Sequence, residues 1–364
     1  MSAVERIGAR VYTVPTDDPE GDGTLTWDSS TLVLVEAVSG PHTGLGWTYG
    51  AAATAAVVRQ ELARLVTGRD AHDTSGAQEA MGRAVRNTGR PGLVAGAISA
   101  VDLALWDLRG HLLGLPLATL LGGAPRPVAV YGSGGFTTYS AERAARQLRY
   151  WTAGQGIPRV KIKIGESWGG CERRDLERVR AARAVIGDEV ELYTDANGGY
   201  RRKQAVRVGA ALAEEGVLWY EEPVSSDDPA GLAEVRAAVR PDVTAGEYGY
   251  DPAAFARMVP VVDCLQADAT RCGGLTGWLR AAALAQAYNL DVSAHCAPHL
   301  HAHAAAAVPN CRHLEWFHDH VRVERLLFDG TLDPGGGTVT PGADGSPGHG
   351  LRLAQERAAP YRTG

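Results

Sequence analysis

Lysine is almost missing from this chain of 364 residues. Lys161, Lys163 and Lys203 are its only lysines, so 33 of the 36 basic residues are arginine. Cysteine is sparse too. Cys171, Cys264, Cys272, Cys296 and Cys311 are odd in number and show no CxxC spacing, which argues against a disulfide framework. They read as reduced thiols of a cytoplasmic protein, mostly small buried hydrophobes. No apolar run approaches membrane-span length, and Met1 to Arg10 lacks the apolar core of a signal peptide, so no membrane partner is expected. Positive charge has no excess either. The formal net charge is -6, which gives no electrostatic footprint for nucleic acid. A hydrophobic fraction of 45% with 21% charged residues is ordinary globular composition, enough chain for one large domain and a smaller one.

Against that scarcity, two lysines share one short stretch, Arg159-Val160-Lys161-Ile162-Lys163-Ile164-Gly165. Branched apolar residues alternating with charged ones predict a strand. Lys161 and Lys163, two apart, then share a face. A solvated face would have accepted arginine, whereas an amine can release its proton near another cation and a guanidinium cannot. The pair is therefore expected to do proton chemistry.

Around this stretch the pattern is ordered. Strands are expected at 5–14 and 31–38, with a return at 44–49. The acidic segment 16–23 between the first two reads as a loop and candidate lid. Helices follow at about 52–67, 77–89 and 93–113. In the last, Ile98, Val101, Leu105, Leu108 and Leu112 form one apolar stripe, stopped by Gly114 and Pro116. Strands then helices suggest an α+β module. From there strands alternate with helices: 127–132, 159–164, 190–194, 217–221, 243–247, 262–267, 290–294 and 312–315, a (β/α) barrel pattern. The expected organisation is a module at 1–122, a barrel at 123–330 and a glycine-rich tail at 331–364 that folds back on the first module.

Reactive groups of such barrels sit at the C-terminal strand ends. Asp195, Glu221 and Glu247 end the third, fourth and fifth strands, spaced 26 and 26 residues apart, one βα unit each. Three converging carboxylates repel one another unless a cation joins them, and all-oxygen ligation favours a hard ion, Mg2+ first. Asp268 and His295 end the sixth and seventh strands, as an orienting carboxylate and a base or acid. Glu315 ends the eighth. Asn197, Thr194, Tyr220 and several histidines supply hydrogen-bonding groups at the mouth, and Asn197 with Trp27 is expected to touch substrate. His299, His301 and His303 invite a zinc site, but the carboxylates already supply a metal centre, and these imidazoles fit a helix start better. Gly273-Gly274-Leu275-Thr276-Gly277 lacks the lysine of a phosphate loop and reads as a tight turn.

In order, these motifs are KxK, Asp-x-Asn, Glu-Glu-Pro, Gly-Glu, Gln-x-Asp, His and Glu. Together with Ala100-Val101-Asp102-Leu103-Ala104-Leu105-Trp106-Asp107 and Leu120-Leu121-Gly122-Gly123, they resemble the mandelate racemase subgroup of the enolase superfamily. The resemblance implies an N-terminal α+β capping domain on a modified (β/α)7β TIM barrel. It implies Mg2+ held by Asp195, Glu221 and Glu247, Lys163 as acid/base with Lys161 as its cationic neighbour, a His295–Asp268 dyad across the substrate, and Glu315 on a substrate carboxylate oxygen. A homo-oligomer, dimer to octamer, is implied as well.

The expected chemistry is removal of the proton α to a carboxylate, with Lys161 and the metal together lowering the pKa of Lys163. A leaving β-hydroxyl gives dehydration of an aldonate or aldarate to a 2-keto-3-deoxy acid. Reprotonation gives racemisation or epimerisation, and an internal leaving group gives cycloisomerisation. The polar, acidic segment 16–23 favours the sugar acid. A zinc amidohydrolase would place its histidine pair early in the barrel, and a Schiff-base aldolase would leave the carboxylate trio unexplained.

Overall fold

The computed structural model describes residues 2–364. The chain opens with a three-stranded antiparallel sheet, β1 (Arg6–Gly21), β2 (Thr26–Ser39) and β3 (His42–Tyr49). Segment 16–23 is no free loop. β1 runs on to Gly21, pairing Glu20 with Trp27 and Gly21 with Thr26 after a register shift beyond Pro15. Its far end is tied to the barrel. Thr137 Oγ1 donates to Asp22 O at 2.6 Å, Thr138 Oγ1 donates to Pro19 O at 2.7 Å, and Arg143 pairs with Asp18 at 3.0 Å. Local composition read as a turn; cross-strand pairing over a bulge made it a strand.

Helix Leu93–Leu113 crosses this sheet and ends at Gly114, which takes the left-handed conformation that terminates helices. Gly44 and Gly46 on β3 let it approach: a Cβ at either would collide with the helix backbone at Ala104 or Ala100. The expected single stripe is too narrow. The helix is buried on its polar side as well, where Asp102 accepts from Thr276 N (3.0 Å) and Thr276 Oγ1 (2.6 Å) of the barrel helix Gly274–Ala287. It is therefore the seam between the two layers rather than an amphipathic cover.

Eight parallel strands follow: β4 (Val128–Gly134), β5 (Arg159–Lys163), β6 (Glu191–Asp195), β7 (Val217–Glu221), β8 (Asp242–Ala245), β9 (Cys264–Ala267), β10 (Asp291–Ala294) and β11 (Cys311–Phe317). Each pairs with the next, and β11 pairs with β4 to close the ring. The fold is the capped TIM barrel. A further helix, His318–Leu327, follows the eighth strand, where the sequence pattern assigned no element. In the tail, Thr338–Val339 pairs antiparallel with β4, and Thr363 N donates to Val11 O at 2.9 Å. It thus touches both the barrel and the first sheet.

The barrel interior is filled in layers. Tyr131, Tyr193, Trp219 and Cys264 pack together with His313 in the lower layer. The charged residues sit above them. Among the described residues no helix is long and apolar enough to cross a membrane, and all five cysteines are free.

Candidate active site

Strand parity turns Lys161 and Lys163 inward and Val160 and Ile162 outward, and the register sets Lys163 beside Asp195 and Asp195 beside Glu221. Both lysines are buried. Lys161 Nζ lies 2.6 Å from Glu221, 2.8 Å from Glu315 and 4.0 Å from Asp195. Burial works to lower its pKa, but Glu221 and Glu315 outweigh burial and keep it charged. Lys163 Nζ lies 2.5 Å from Asp195. Burial and Lys161 do press its pKa down, yet the Asp195 carboxylate wins and holds it above the usual lysine value.

Glu247 lies two residues past the end of β8, not on it. Gly246 makes the bend: its φ is +143°, and any Cβ there would collide with the carbonyl of Gln266. Asp195, Glu221 and Glu247 each bring one oxygen within 4.8 Å of the other two. At an effective dielectric of about 20, each such pair repels by roughly 3–4 kcal/mol. Burial, then Asp195, push Glu221 up to about 8, while His295 and Arg271 more than offset burial and bring Glu247 down to about 2. Glu221 Oε1 and Glu247 Oε2 are buried with no hydrogen-bond partner. Buried, orphaned oxygens in a cluster of three carboxylates fit a hard divalent cation with oxygen ligands.

Across the cavity, His295 Nδ1 lies 2.8 Å from Asp268 Oδ2. Thr270 N and Oγ1, both at 2.7 Å, fix the other Asp268 oxygen. A carboxylate on Nδ1 puts the proton there and leaves Nε2 facing Glu247 at 3.4 Å. Burial lowers the imidazole's pKa, but Glu247 and Asp268 raise it above its ordinary value. Glu315 accepts from Ser133 Oγ (2.6 Å), Lys161 and the Cys296 amide (2.9 Å), and Lys161 and His295 outweigh burial to keep it ionised.

Lys163, Glu247, His295, Asn197 and Trp27 all line one cavity of about 460 Å³ between barrel mouth and sheet. Asn197 takes a left-handed φ of +44°, donates its backbone N–H to Asp195 Oδ1 at 2.8 Å and leaves its side-chain Oδ1 unpartnered. Trp27 Nε1 donates to Glu20 at 3.0 Å, and its ring meets Phe136 edge-on.

Other expected mouth groups lie elsewhere. Thr194 Oγ1 donates to Trp219 O at 3.2 Å and Tyr220 OH reaches Ala205 O at 3.5 Å, because strand parity turns both away from the interior. His299, His301 and His303 are buried in helix Pro298–Ala307, where their rings accept from the amides of Leu332, Ala269 and Ala118. They tie loops together, which is why three imidazoles share one short helix.

Three residues at the site were passed over. Arg271 reaches Glu247 at 3.1 Å and Asp268 at 3.4 Å. Its position three after Asp268, a single turn's spacing, was the available signal. Cys296 lies 3.3 Å from His295 Nε2, on a backbone left-handed at both Cys296 and Ala297. Burial, then Glu315, raise its thiol well above the normal range. Ser133 carries no sequence signal, since only ring closure brings β4 beside β11.

Residues 7–122 match the family described as mandelate racemase / muconate lactonizing enzyme, N-terminal domain, and residues 143–358 match the enolase C-terminal domain-like family. The chain belongs to the enolase superfamily, in its mandelate racemase subgroup. It is similar to a mandelate racemase/muconate lactonizing enzyme-like protein from Rubrobacter xylanophilus, at 50% identity and a TM-score of 0.96, covering 99% of this chain and 100% of that one. It is 31% identical to a 3,6-anhydro-alpha-L-galactonate cycloisomerase of Streptomyces coelicolor, over 97% of this chain and 98% of the relative. L-talarate dehydratase from Polaromonas sp. JS666, complexed with Mg and L-glucarate, aligns at 28% identity and a TM-score of 0.87, over 100% and 98% of the two chains.

Proposed function

We propose that this chain removes the proton α to the carboxylate of a sugar acid and, in its main reaction, dehydrates an aldonate or aldarate to a 2-keto-3-deoxy acid. The observation that carries this reading is that Lys163 and the His295–Asp268 dyad face one cavity from the second and seventh barrel strands, with the carboxylate trio between them. Asp195, Glu221 and Glu247 are assigned to hold Mg2+, the ion present with the similar talarate dehydratase. When bound, it supplies positive charge beside the substrate carboxylate.

The rest falls to side chains. Lys161, buried and charged beside Glu221 and Glu315, is assigned to stabilise the negative charge that grows as the α proton leaves. Glu315 is paired with Lys161 and Ser133 and is assigned to hydrogen-bond a substrate carboxylate oxygen. Lys163 or His295, in its neutral form, takes the α proton. His295, its Nδ1 proton fixed on Asp268, delivers a proton from Nε2 to the departing β-hydroxyl. Loss of water from the α,β-diol leaves an enol, which becomes the 2-keto acid on protonation at the β carbon.

Incubation with a library of aldonic and aldaric acids, Mg2+ and semicarbazide tests it: a 2-keto product is expected. A second reading, cycloisomerase or racemase/epimerase, draws on the Streptomyces relative and on the proton-transfer groups at two sides of the cavity. Solvent-deuterium exchange at the α carbon without any keto product would select it.

A further inference from the structure

The mechanism accounts for the barrel end of the cavity. The opposite wall, where β2 meets helix His318–Leu327, is chemically different. Ser29, Ser30 and Thr31 of the sheet and Asp319 of that helix line it. Asp319 is 1% exposed and is the acceptor of the Ser30 hydroxyl across the gap between cap and barrel. Arg322, one helical turn on, pairs with the other Asp319 oxygen at 2.6 Å and is absent from the cavity wall. The wall therefore presents hydroxyls and a carboxylate. Among the described residues, the lysine and arginine that line the cavity are Lys163 and Arg271, both at the barrel rim, and both already engaged by Asp195, Glu247 and Asp268. Next to Asp319 on the same helix, His320 has its Nδ1 occupied by the Ala297 amide at 3.3 Å, and burial holds the ring neutral.

From this we infer that the substrate carries one carboxylate only: an aldonic acid whose far end is a neutral hydroxymethyl or methyl group, with Asp319 accepting hydrogen bonds from its distal hydroxyls. The inference rests on the function proposed above and narrows it. A second carboxylate at the far end would meet hydroxyls and an Asp319 whose counter-ion, Arg322, is already paired with it, and would find no free cation to offset its own desolvation, the arrangement by which a site rejects a competitor. A hydroxyl there gives Asp319 a donor, and sites built to hold a hydroxyl discriminate strongly against ligands that lack one.

The test compares six-carbon aldonates with the matching aldarates, pairs that differ only in a hydroxymethyl or a carboxylate at C6, using the full chain with Mg2+. For the processed stereoisomer, kcat/KM is expected to favour the aldonate by about 100-fold or more. Asp319→Asn should narrow that ratio at least tenfold by relieving the aldarate. Ser30→Ala, which leaves the charge in place, should lower kcat/KM for the aldonate without helping the aldarate. Thermal melts establish that each variant is folded, and the wild-type ratio decides even if one is not. Aldarates turned over as well as aldonates, or better, would overturn the inference and leave the proposed function intact. Absence of both product and α-deuterium exchange with every acid in both series would overturn the proton-abstraction reading and this inference with it.

Discussion

Buried carboxylates occur in two places in this molecule, at the barrel rim and along the seam between cap and barrel, and they are treated in opposite ways. At the seam, Asp102 faces the hydroxyl and amide of Thr276, and Glu324 accepts from Trp47 Nε1 (3.2 Å) and Tyr49 OH (3.1 Å). These donors are neutral. Burial pushes Asp102 up to about 7 and Glu324 up to about 8, with the hydrogen bonds only restraining the rise. At the rim, lysines, an arginine and an imidazole surround the acids, and one oxygen each of Glu221 and Glu247 is left without a donor. Burial is equal in the two regions, so burial alone does not mark function. Glu324 too has a buried oxygen without a donor, so the mark is the charged neighbours.

The contrast is broken most severely by removing a proposed proton carrier at the rim. Lys163→Ala and His295→Asn should each lower turnover by roughly 10²–10⁴-fold with little change in melting temperature, measured by product formation and α-deuterium exchange. Next is Glu221→Gln, which should weaken Mg2+ binding at least tenfold by titration calorimetry, roughly the scale of about 1.4 kcal/mol, while Asp102→Asn at the seam should leave it unchanged. Gly46→Ala, on the cap side, should cost about 1–3 kcal/mol of stability in a denaturant melt, because its Cβ meets the backbone of helix Leu93–Leu113.

The smallest effect concerns pH. Glu324 binds its proton more tightly folded than unfolded, so its contribution is complete below the ordinary carboxylate value and is lost as pH rises through that value toward about 8. Stability should therefore fall between pH 6 and 8 by at most about 1.4 kcal/mol per pH unit for this group, and Glu324→Gln should flatten that slope. A slope that is unchanged in the variant would place the titration elsewhere.

Much of the rim was legible because its signals are arithmetic. Lysines two apart in a chain that avoids lysine, and acids repeating every βα unit, need only strand parity and barrel geometry to be assembled. The same parity, applied to Thr194 and Tyr220, would have turned them away from the mouth. The seam was far less legible. Asp102 and Glu324 lie on helices whose burial depends on which layer covers their second side, and Asp319 gains its place from Ser30, far away in sequence. Segment 16–23 misled for a related reason: proline and acidic residues read as a loop locally, while pairing with Thr26 and Trp27 is a property of the hairpin. Cys296 and Ser133 owe their positions to a left-handed turn and to ring closure, and neither has a local signature.

Closure of the ring has a consequence for when chemistry begins. Ser133 and Glu315 share a hydrogen bond because the last barrel strand returns to the first, and Glu315 in turn braces Lys161. An emerging polypeptide already possessing both amines, the acidic trio and the imidazole still lacks that brace. With Glu315 acting as proposed, pairing of β11 with β4 completes the site, and turnover regained during refolding is expected to follow that pairing.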